Sequence, residues 1–267
     1  MRKIIINFFF LVACFFLWTA SASAESTTVM VYMCGSNLES QGGAATKDIQ
    51  EMLASRFDAE QVHLMILAGG SAQWQNKPAF PNDQLSLCTA RNKSTGGVKL
   101  EQLSTWESRS MGDADTLAWF LQTCMEHSKT ERYALVLWDH GGGPLGSVCL
   151  DEMNDLDGLT IAELTEALEL AGLQKKLDWI GFDACLMGSA EVALAVAPYA
   201  EYMIASQETE PADGWNYTFL KGIENDADGA ETGKRIVDAY FSAGMRANTA
   251  LPCPARILAP SVASPAQ

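Results

Sequence analysis

Short apolar runs alternate with amphipathic stretches along most of the chain. Five apolar runs predict buried strands, at residues 27–33, 62–67, 133–138, 177–183 and 201–206. Five stretches with helical periodicity or composition follow them, at residues 44–57, 116–127, 160–171, 186–199 and 229–245. Because predicted helices lie between predicted strands, we expect an α/β fold: a sandwich with a mainly parallel central sheet and helices on both faces.

The first stretch of the chain has a different pattern. Residues 1–3 are basic at two positions, residues 4–18 are almost wholly apolar, and residues 22–24 are small. This is the pattern of a bacterial secretory signal peptide, and we expect cleavage before Glu25. An uncleaved membrane anchor and a lipoprotein cut before Cys14 are the alternatives. We favour the lipoprotein less because the apolar run continues beyond Cys14, and we expect a secreted or cell-envelope protein.

The rest of the chain is expected to form one domain. We assign residues 1–24 to the signal peptide, 25–250 to the domain and 251–267 to a proline-rich tail. Residues 74–97 are rich in Pro, Asn, Gln, Lys and Gly and predict an excursion with a hairpin around Leu85 to Thr89. The four prolines of the tail are expected to break any helix or strand, and a truncated terminus is one interpretation of this ending.

The net negative charge of the chain disfavours some classes of binding partner. The chain has 18 basic and 33 acidic residues, and loss of Arg2 and Lys3 with the leader leaves a net charge of −17. Such a surface repels nucleic acid and anionic lipid, so we expect neither as a partner after cleavage of the leader. It weakly attracts cationic substrates, although solubility outside the cell explains the acidity at least as well.

Two predicted strands end in residues with reactive side chains. His140 follows the run at 133–138, and three glycines come directly after it; Cys185 follows the run at 177–183. Parallel strands end at the same edge of a sheet, which is where open α/β sheets place their ligands. A helix predicted directly after Cys185 would favour a thiolate there. The pair therefore suggests a general base and a nucleophile.

The other polar clusters have simpler interpretations. Beside Cys185, five cysteines remain after loss of the leader, and the chain has no close CxxC pair, so we expect neither a zinc site nor a thioredoxin-like site. The acidic stretch 151–157 lies in a loop predicted over residues 145–158. It could offer oxygen ligands to Ca²⁺, but its spacing is not that of an EF-hand. We favour a solvated acidic loop there and expect the chemistry to require no cofactor.

At Trp138-Asp139-His140-Gly141-Gly142 and Gly181-Phe182-Asp183-Ala184-Cys185-Leu186-Met187 the chain resembles the clostripain family of cysteine peptidases. Other matching segments, including Asn37, Leu38 and Glu39, extend the resemblance over most of residues 27–245. The resemblance implies a caspase-like α/β/α fold and cleavage after Arg or Lys. It also implies that Cys185 is the nucleophile and that His140 is the general base and later the acid.

Further site residues follow from this assignment. The backbone N–H groups of Gly141 and Cys185 are the expected donors to the oxyanion. Asp183 lies on the same side of its strand as Cys185, so we expect it to pair with the substrate's basic side chain, with backbone capping as the alternative. Asp213 is expected to approach the same pocket, or to be part of a turn. Asp139 should point away from His140, which indicates a structural role.

We therefore expect a secreted cysteine endopeptidase that acts on polypeptides with Arg or Lys before the scissile bond. The alternative is a catalytically inactive envelope or recognition domain that retains the fold. A small-molecule α/β hydrolase is disfavoured because the chain has no Gly-x-Ser-x-Gly motif. Self-cleavage in the segment after the candidate base is also not expected, since no Lys or Arg lies between His140 and Lys175.

Overall fold

The computed structural model describes residues 26–107, 109–211, 213–226, 228–247 and 256–258, with side chains described up to residue 243. Ten strands lie in these ranges, namely Thr27–Cys34 (β1), Val62–Gly69 (β2), Gln84–Asn92 (β3), Val98–Glu107 (β4), Arg132–Trp138 (β5), Ser147–Asp151 (β6), Asp157–Thr160 (β7), Leu177–Asp183 (β8), Ala200–Ala205 (β9) and Arg256–Leu258 (β10). Six α-helices accompany them, namely Ser36–Gly42 (α1), Ala44–Ala54 (α2), Ala114–His127 (α3), Ile161–Leu170 (α4), Ala190–Val196 (α5) and Gly229–Ala247 (α6).

Eight strands form one sheet in the order β10-β9-β8-β5-β1-β2-β3-β4. The five strands from β9 to β2 run parallel, and antiparallel strands are added at both edges. The predicted mainly parallel sheet is therefore confirmed. In the register of the central pair, Trp138 of β5 lies opposite Asp183 of β8. The residues that follow these two strands consequently meet at one edge of the sheet.

The central strand β1 is buried along its whole length and separates two hydrophobic cores. Met30 and Tyr32 point into one core, and Val29, Val31 and Met33 point into the other. This follows from the two-residue period of a strand. The first core is covered by α3, α4 and α5, and the second by α2 and α6. Helices therefore lie on both faces of the sheet, as the alternating pattern predicts.

Two of the predicted helices begin directly after capping side chains. The Asp113 carboxylate accepts a hydrogen bond from the Asp115 N–H at 3.1 Å, directly before α3. The Thr160 hydroxyl accepts one from the Glu163 N–H at 3.3 Å before α4, and the Glu163 carboxylate reaches back to the Thr160 N–H at 2.9 Å. These side chains satisfy N–H groups that have no partner within the helix. Both starts are determined by residues adjacent in sequence.

The helix predicted over residues 186–199 is shorter than expected. Leu186 adopts a left-handed conformation, with φ of 65°, and the Gly188 N–H donates to the Ser206 carbonyl at 2.7 Å. The chain after Cys185 thus binds the segment that follows β9, and α5 begins four residues after the first position of the predicted helix. The expectation that Cys185 lies at the N-terminus of a helix is therefore wrong.

Two further predictions need correction. The expected loop over 145–158 contains much of the β6–β7 hairpin, and the expectation that prolines break any element in the tail is wrong for β10, which pairs with β9. The rest of the tail and the predicted signal peptide lie outside the described residues. Across the part of the chain that the structure describes, no helix is long and apolar enough to span a membrane.

Candidate active site

His140 and Cys185 are brought to the same sheet edge by β5 and β8. The register that places Trp138 opposite Asp183 would place His140 opposite Cys185 two residues later. Both side chains line a cavity of about 300 Å³. The remaining lining residues are Leu38, Trp138, Asp139, Asp183, Ala184, Glu210, Pro211 and Gly214. The predicted base and the predicted nucleophile thus share one cavity.

The imidazole of His140 is held by a residue of α1. Its Nε2 lies 2.7 Å from Oδ1 of Asn37, which can only accept, so Nε2 carries the proton in this arrangement. The other ring nitrogen, Nδ1, is then the acceptor. The ring is half-buried, and this burial lowers the pKa of His140 because the charged form is poorly solvated. A neutral imidazole with one free acceptor nitrogen suits a general base at neutral pH.

Sequence reasoning assigned no role to Asn37. It was only one of the residues that carry the resemblance, and no motif connects it with His140 across 103 positions. One signal could have identified it, because Asn37 lies three residues after the end of β1, at the same sheet edge as His140 and Cys185. A polar residue there is a candidate for contact with the site.

The sulfur of Cys185 lies against the backbone of Glu210. The Glu210 N–H donates to Sγ at 3.2 Å, and the Glu210 carbonyl oxygen lies 3.9 Å from the same atom. Five cysteines in the described ranges have free thiols, and Cys185 alone among them is not fully buried. Accessibility is a requirement for a reactive thiol, so the structure singles out the same cysteine as the sequence.

Gly141 packs directly on the backbone of Cys185. A Cβ atom at position 141 would lie 2.2 Å from the carbonyl oxygen of Cys185, which is far inside van der Waals contact. Only glycine permits this approach. The two residues predicted to supply oxyanion donors are therefore neighbours in space, and their role as donors stays a prediction.

Asp183 lies beneath the cavity and is almost fully buried, with 4% of its surface exposed. Its Oδ1 accepts from the Trp215 N–H at 3.0 Å, and its Oδ2 accepts from the Tyr217 hydroxyl at 2.8 Å. Burial raises the pKa of Asp183 to about 7, against the opposing effect of these two hydrogen bonds. The carboxylate is thus both a wall of the cavity and an anchor for the segment after β9.

Asp213 occupies a different position. It is exposed and lines a neighbouring cavity of about 280 Å³ together with Asp48 and Glu51 of α2. Gly214 lines both cavities and separates the two regions. The structure therefore brings Asp183, but not Asp213, into the cavity that contains Cys185.

Asp139 makes structural contacts, as its position in the strand predicts. It is buried, and its carboxylate accepts hydrogen bonds from the Ser36 hydroxyl and, at 2.5 Å, from the Leu150 N–H. Burial raises the pKa of Asp139 to about 8, because the loss of solvation of its charged form outweighs the hydrogen bonds that it accepts from Ser36, His140 and Leu150. Asp139 connects the end of β5 to α1 and to β6, and it holds the site's elements together.

The acidic stretch after β6 is organised by hydrogen bonds to Asp151. This buried carboxylate accepts from the N–H groups of Met111 and Met153, each at 2.8 Å, and from the Asn154 side-chain amide at 3.0 Å. Within the described ranges, no group of three or more His, Cys, Asp or Glu side chains is placed to hold a metal ion. The expectation of a solvated loop is wrong for Asp151, which is buried, and Ca²⁺ binding stays the less favoured alternative that the sequence offers.

The sequence of this chain is similar to those of known proteins. A sequence model of the Clostripain family matches residues 31–249. Clostripain from Hathewaya histolytica is 26% identical to this chain over 221 residues, which are 72% of this chain and 41% of that protein. The chain thus spans less than half the length of this curated relative.

Solved structures share the fold. A secreted C11 cysteine protease from Bacteroides thetaiotaomicron, in complex with an irreversible peptide inhibitor, matches with a TM-score of 0.68 and 24% identity, over 83% of this chain and 59% of that one. An inactive zymogen C11 protease from Parabacteroides distasonis matches with a TM-score of 0.65 and 22% identity, over 83% and 60%. The family match covers most of the chain and includes Asn37, His140, Asp183 and Cys185. The resemblance seen in the sequence is confirmed, and the chain belongs to the clostripain family.

Proposed function

We propose that this chain is a cysteine endopeptidase that cleaves polypeptides after Arg or Lys. The observation that carries the proposal is the shared cavity, in which an accessible thiol, a half-buried imidazole and a buried carboxylate come together. Membership of the clostripain family supports the same reaction class. The proposed steps use only groups of this chain and a water molecule.

The reaction begins with transfer of the Cys185 thiol proton to Nδ1 of His140. The thiolate attacks the scissile carbonyl carbon, and backbone N–H groups of Gly141 and Cys185 stabilise the resulting oxyanion. The imidazolium then protonates the leaving amine, which departs and leaves an acyl thioester. Water, deprotonated by the neutral imidazole, attacks the thioester and regenerates the thiol. Asn37 is a positioning residue, because it keeps the ring in the tautomer that these steps need.

The preference for a basic side chain is supported by charge. The cavity is lined by three acidic residues, Asp139, Asp183 and Glu210, and none of its ten lining residues is Lys or Arg. A buried carboxylate without a cationic neighbour is costly, and an entering guanidinium or ammonium group would remove this cost. An acidic substrate side chain would be repelled by the same groups.

Export is part of the proposal. It rests on the N-terminal pattern of a signal peptide and on the secreted Bacteroides relative. Expression of the whole chain in a bacterial host, followed by N-terminal sequencing of the exported product, should give Glu25 as the first residue. Retention of Met1 in the cytoplasm would contradict export.

Turnover of fluorogenic peptides tests the activity. We expect hydrolysis after Arg or Lys, little or none after Asp, and a loss on the order of 100-fold or more with Cys185→Ala or His140→Ala. Cys88→Ala, on β3 and away from the cavity, is the matched control and should retain activity. Absence of turnover in a folded wild-type protein would contradict the proposal.

A non-catalytic recognition domain is the second candidate. It is favoured by one observation, since the Glu210 backbone already contacts Sγ of Cys185 through both its N–H and its carbonyl. A resting contact of this kind could persist in a domain that only binds peptides. Binding of Arg or Lys peptides without turnover, unchanged in Cys185→Ala, would support this candidate over the enzyme.

A further inference from the structure

Glu210 is the one carboxyl group of the cavity that accepts no well-formed hydrogen bond from an N–H or O–H group of the protein. Both of its carboxylate oxygens are buried, and neither has a donor in good hydrogen-bond geometry. Asp183, across the same cavity, has a donor for each of its oxygens. A buried carboxylate that only stabilised the fold would be expected to accept hydrogen bonds, because an unsatisfied buried charge costs free energy. The groups that act on Glu210 are Asp183, Cys185 and the Trp215 indole, none of them a cation, so this acidic pair has no positively charged partner within the described part of the chain.

The surroundings of Glu210 are acidic or neutral. The groups that influence it are Asp183 at the end of β8, Cys185, and the indole of Trp215 after β9; Tyr240 of α6 lies within its electrostatic influence. Burial raises the pKa of Glu210 well above its usual range, and the charge of Asp183 adds to this rise. Two neighbouring buried carboxyl groups cannot both ionise easily, so the pair favours holding a proton while no cation is bound.

We propose that Glu210 is a second specificity-determining carboxylate of this cavity, and that a substrate Arg or Lys side chain takes the place of the proton it carries. The inference rests on the proposed function and deepens it. Binding converts the Glu210 carboxylic acid and a substrate cation into an ion pair, and the displaced proton is released to solvent. Asp183 keeps its two hydrogen bonds, and its negative charge also stabilises the bound cation.

The substitution Glu210→Gln separates charge from packing. The glutamine amide has the same shape and can still donate to Asp183, as a protonated Glu210 would, but it cannot become negative. We expect the KM for Arg and Lys peptides to rise about 10- to 100-fold, the usual range for a hydrogen bond to a charged group, while kcat changes much less. Glu208→Gln, two residues earlier and exposed, is the matched control and should behave as the wild type.

Proton release provides a second measurement. Benzamidine, an uncleaved cation, is titrated calorimetrically at neutral pH in two buffers of different ionisation enthalpy. We expect the wild-type protein to release a proton on binding, approaching one per site, and the Glu210→Gln variant to release clearly less and to bind more weakly. Equal affinity and equal proton release in the two proteins would overturn the proposal.

The outcomes separate this inference from the proposed function. If the protein shows no preference for basic peptides, the proposed specificity fails before Glu210 is considered. If the preference is intact but Glu210→Gln matches Glu208→Gln, the inference alone is overturned. If Glu210→Gln reduces kcat/KM equally for basic and uncharged peptides and lowers the Tm, Glu210 is a structural residue and the proposal is also overturned.

Discussion

The partner of His140 is a neutral amide rather than a carboxylate. Asn37 fixes the ring through one hydrogen bond of 2.7 Å and adds no negative charge beside it. A carboxylate at this position would raise the pKa of His140, whereas burial here lowers it. The arrangement therefore favours a neutral, oriented imidazole, which is the state that the proposed mechanism needs to accept the thiol proton.

Removal of this hydrogen bond should affect chemistry more than binding. We expect Asn37→Ala to lower kcat on the order of 100-fold, the scale of a small misplacement of a catalytic group, with little change in KM. Asn37→Asp should instead raise the pKa of His140 and move the acidic limb of the kcat/KM profile to higher pH. A full pH profile of each variant measures both effects, and profiles that overlay the wild type would exclude a positioning role.

Gly141 is a second residue at which one added atom, a Cβ, would disturb the site. Gly141→Ala places a methyl group where the Cys185 carbonyl oxygen lies, so the backbone of the site has to move. We expect kcat/KM to fall on the order of 100-fold or more. Gly42→Ala is the matched control, because its Cβ would meet nothing within 4 Å. Similar activities of the two variants in the peptide assay would show that the close packing at Gly141 is unimportant.

At the scale of elements, the edge of the sheet that carries the site is braced by the β6–β7 hairpin. Asp139 binds the start of α1 and the N–H of Leu150 in β6, and Asp151 at the end of β6 binds the N–H of Met111 ahead of α3. Both carboxylates are buried. Elements distant in sequence are thus connected directly behind His140.

Loss of the Asp151 carboxylate should loosen this brace. In Asp151→Ala the buried Met111 N–H loses its acceptor, and we expect the free energy of unfolding to fall by at least about 2 kcal/mol. Asp155→Asn, in the same loop but exposed, should change it by less than about 0.5 kcal/mol. Urea denaturation of the two variants gives the comparison. Equal midpoints would mean that the hydrogen bonds of Asp151 contribute nothing.

Helices and strands could be predicted where the residues that determine them are adjacent in sequence. Structure that depends on contacts between distant segments could not. The strands at 133–138 and 177–183 and the caps at Asp113 and Thr160 could be predicted, since hydrophobic runs and capping side chains act locally. The segment after Cys185 has helical composition, yet Gly188 pairs with Ser206 and delays the helix. No local pattern encodes that contact.

The residues of the site could likewise be predicted from the sequence only where they do not depend on contacts between distant segments. The sequence and the family resemblance identified His140, Cys185 and Asp183, which the structure places around one cavity. The sequence did not indicate the contact of Asn37 with His140 or the isolation of Glu210, because each depends on which loops meet at the sheet edge. Hydrogen-bond partners across 103 positions follow from tertiary structure alone.

At the scale of the whole molecule, an acidic chain contains several buried acids whose pKa is raised. Burial raises the pKa of Asp139 to about 8 and of Asp183 to about 7, and it raises that of Asp48 and Glu210 well above the usual range. A folded state with raised carboxyl pKa values holds protons that the unfolded chain has released. Stability therefore falls as the pH rises from about 4, the unfolded value, through about 8.

We accordingly expect the Tm to be higher near pH 5 than near pH 8. Asp178 also has a raised pKa, which makes five such carboxyl groups. The lowered pKa of His140 acts in the opposite direction below about pH 6.5, and the lowered pKa values of Asp58 and Glu131 do so only at about pH 4 and below. Asp139→Asn removes one of the titrating acids and should flatten the dependence. Thermal unfolding across pH 4–9 measures it, and a Tm that rises steadily with pH would contradict the assigned pKa directions.

The central claim is that Cys185, activated by His140, attacks a peptide whose basic side chain occupies the acidic cavity. Covalent labelling with an arginyl chloromethyl ketone peptide tests it most directly. Peptide mass mapping should show one adduct, on Cys185 and not on the buried cysteines, formed much faster than with the aspartyl analogue and largely lost in His140→Ala. A wild-type protein that is folded yet unlabelled at Cys185, or labelled equally fast by both probes, would contradict the account.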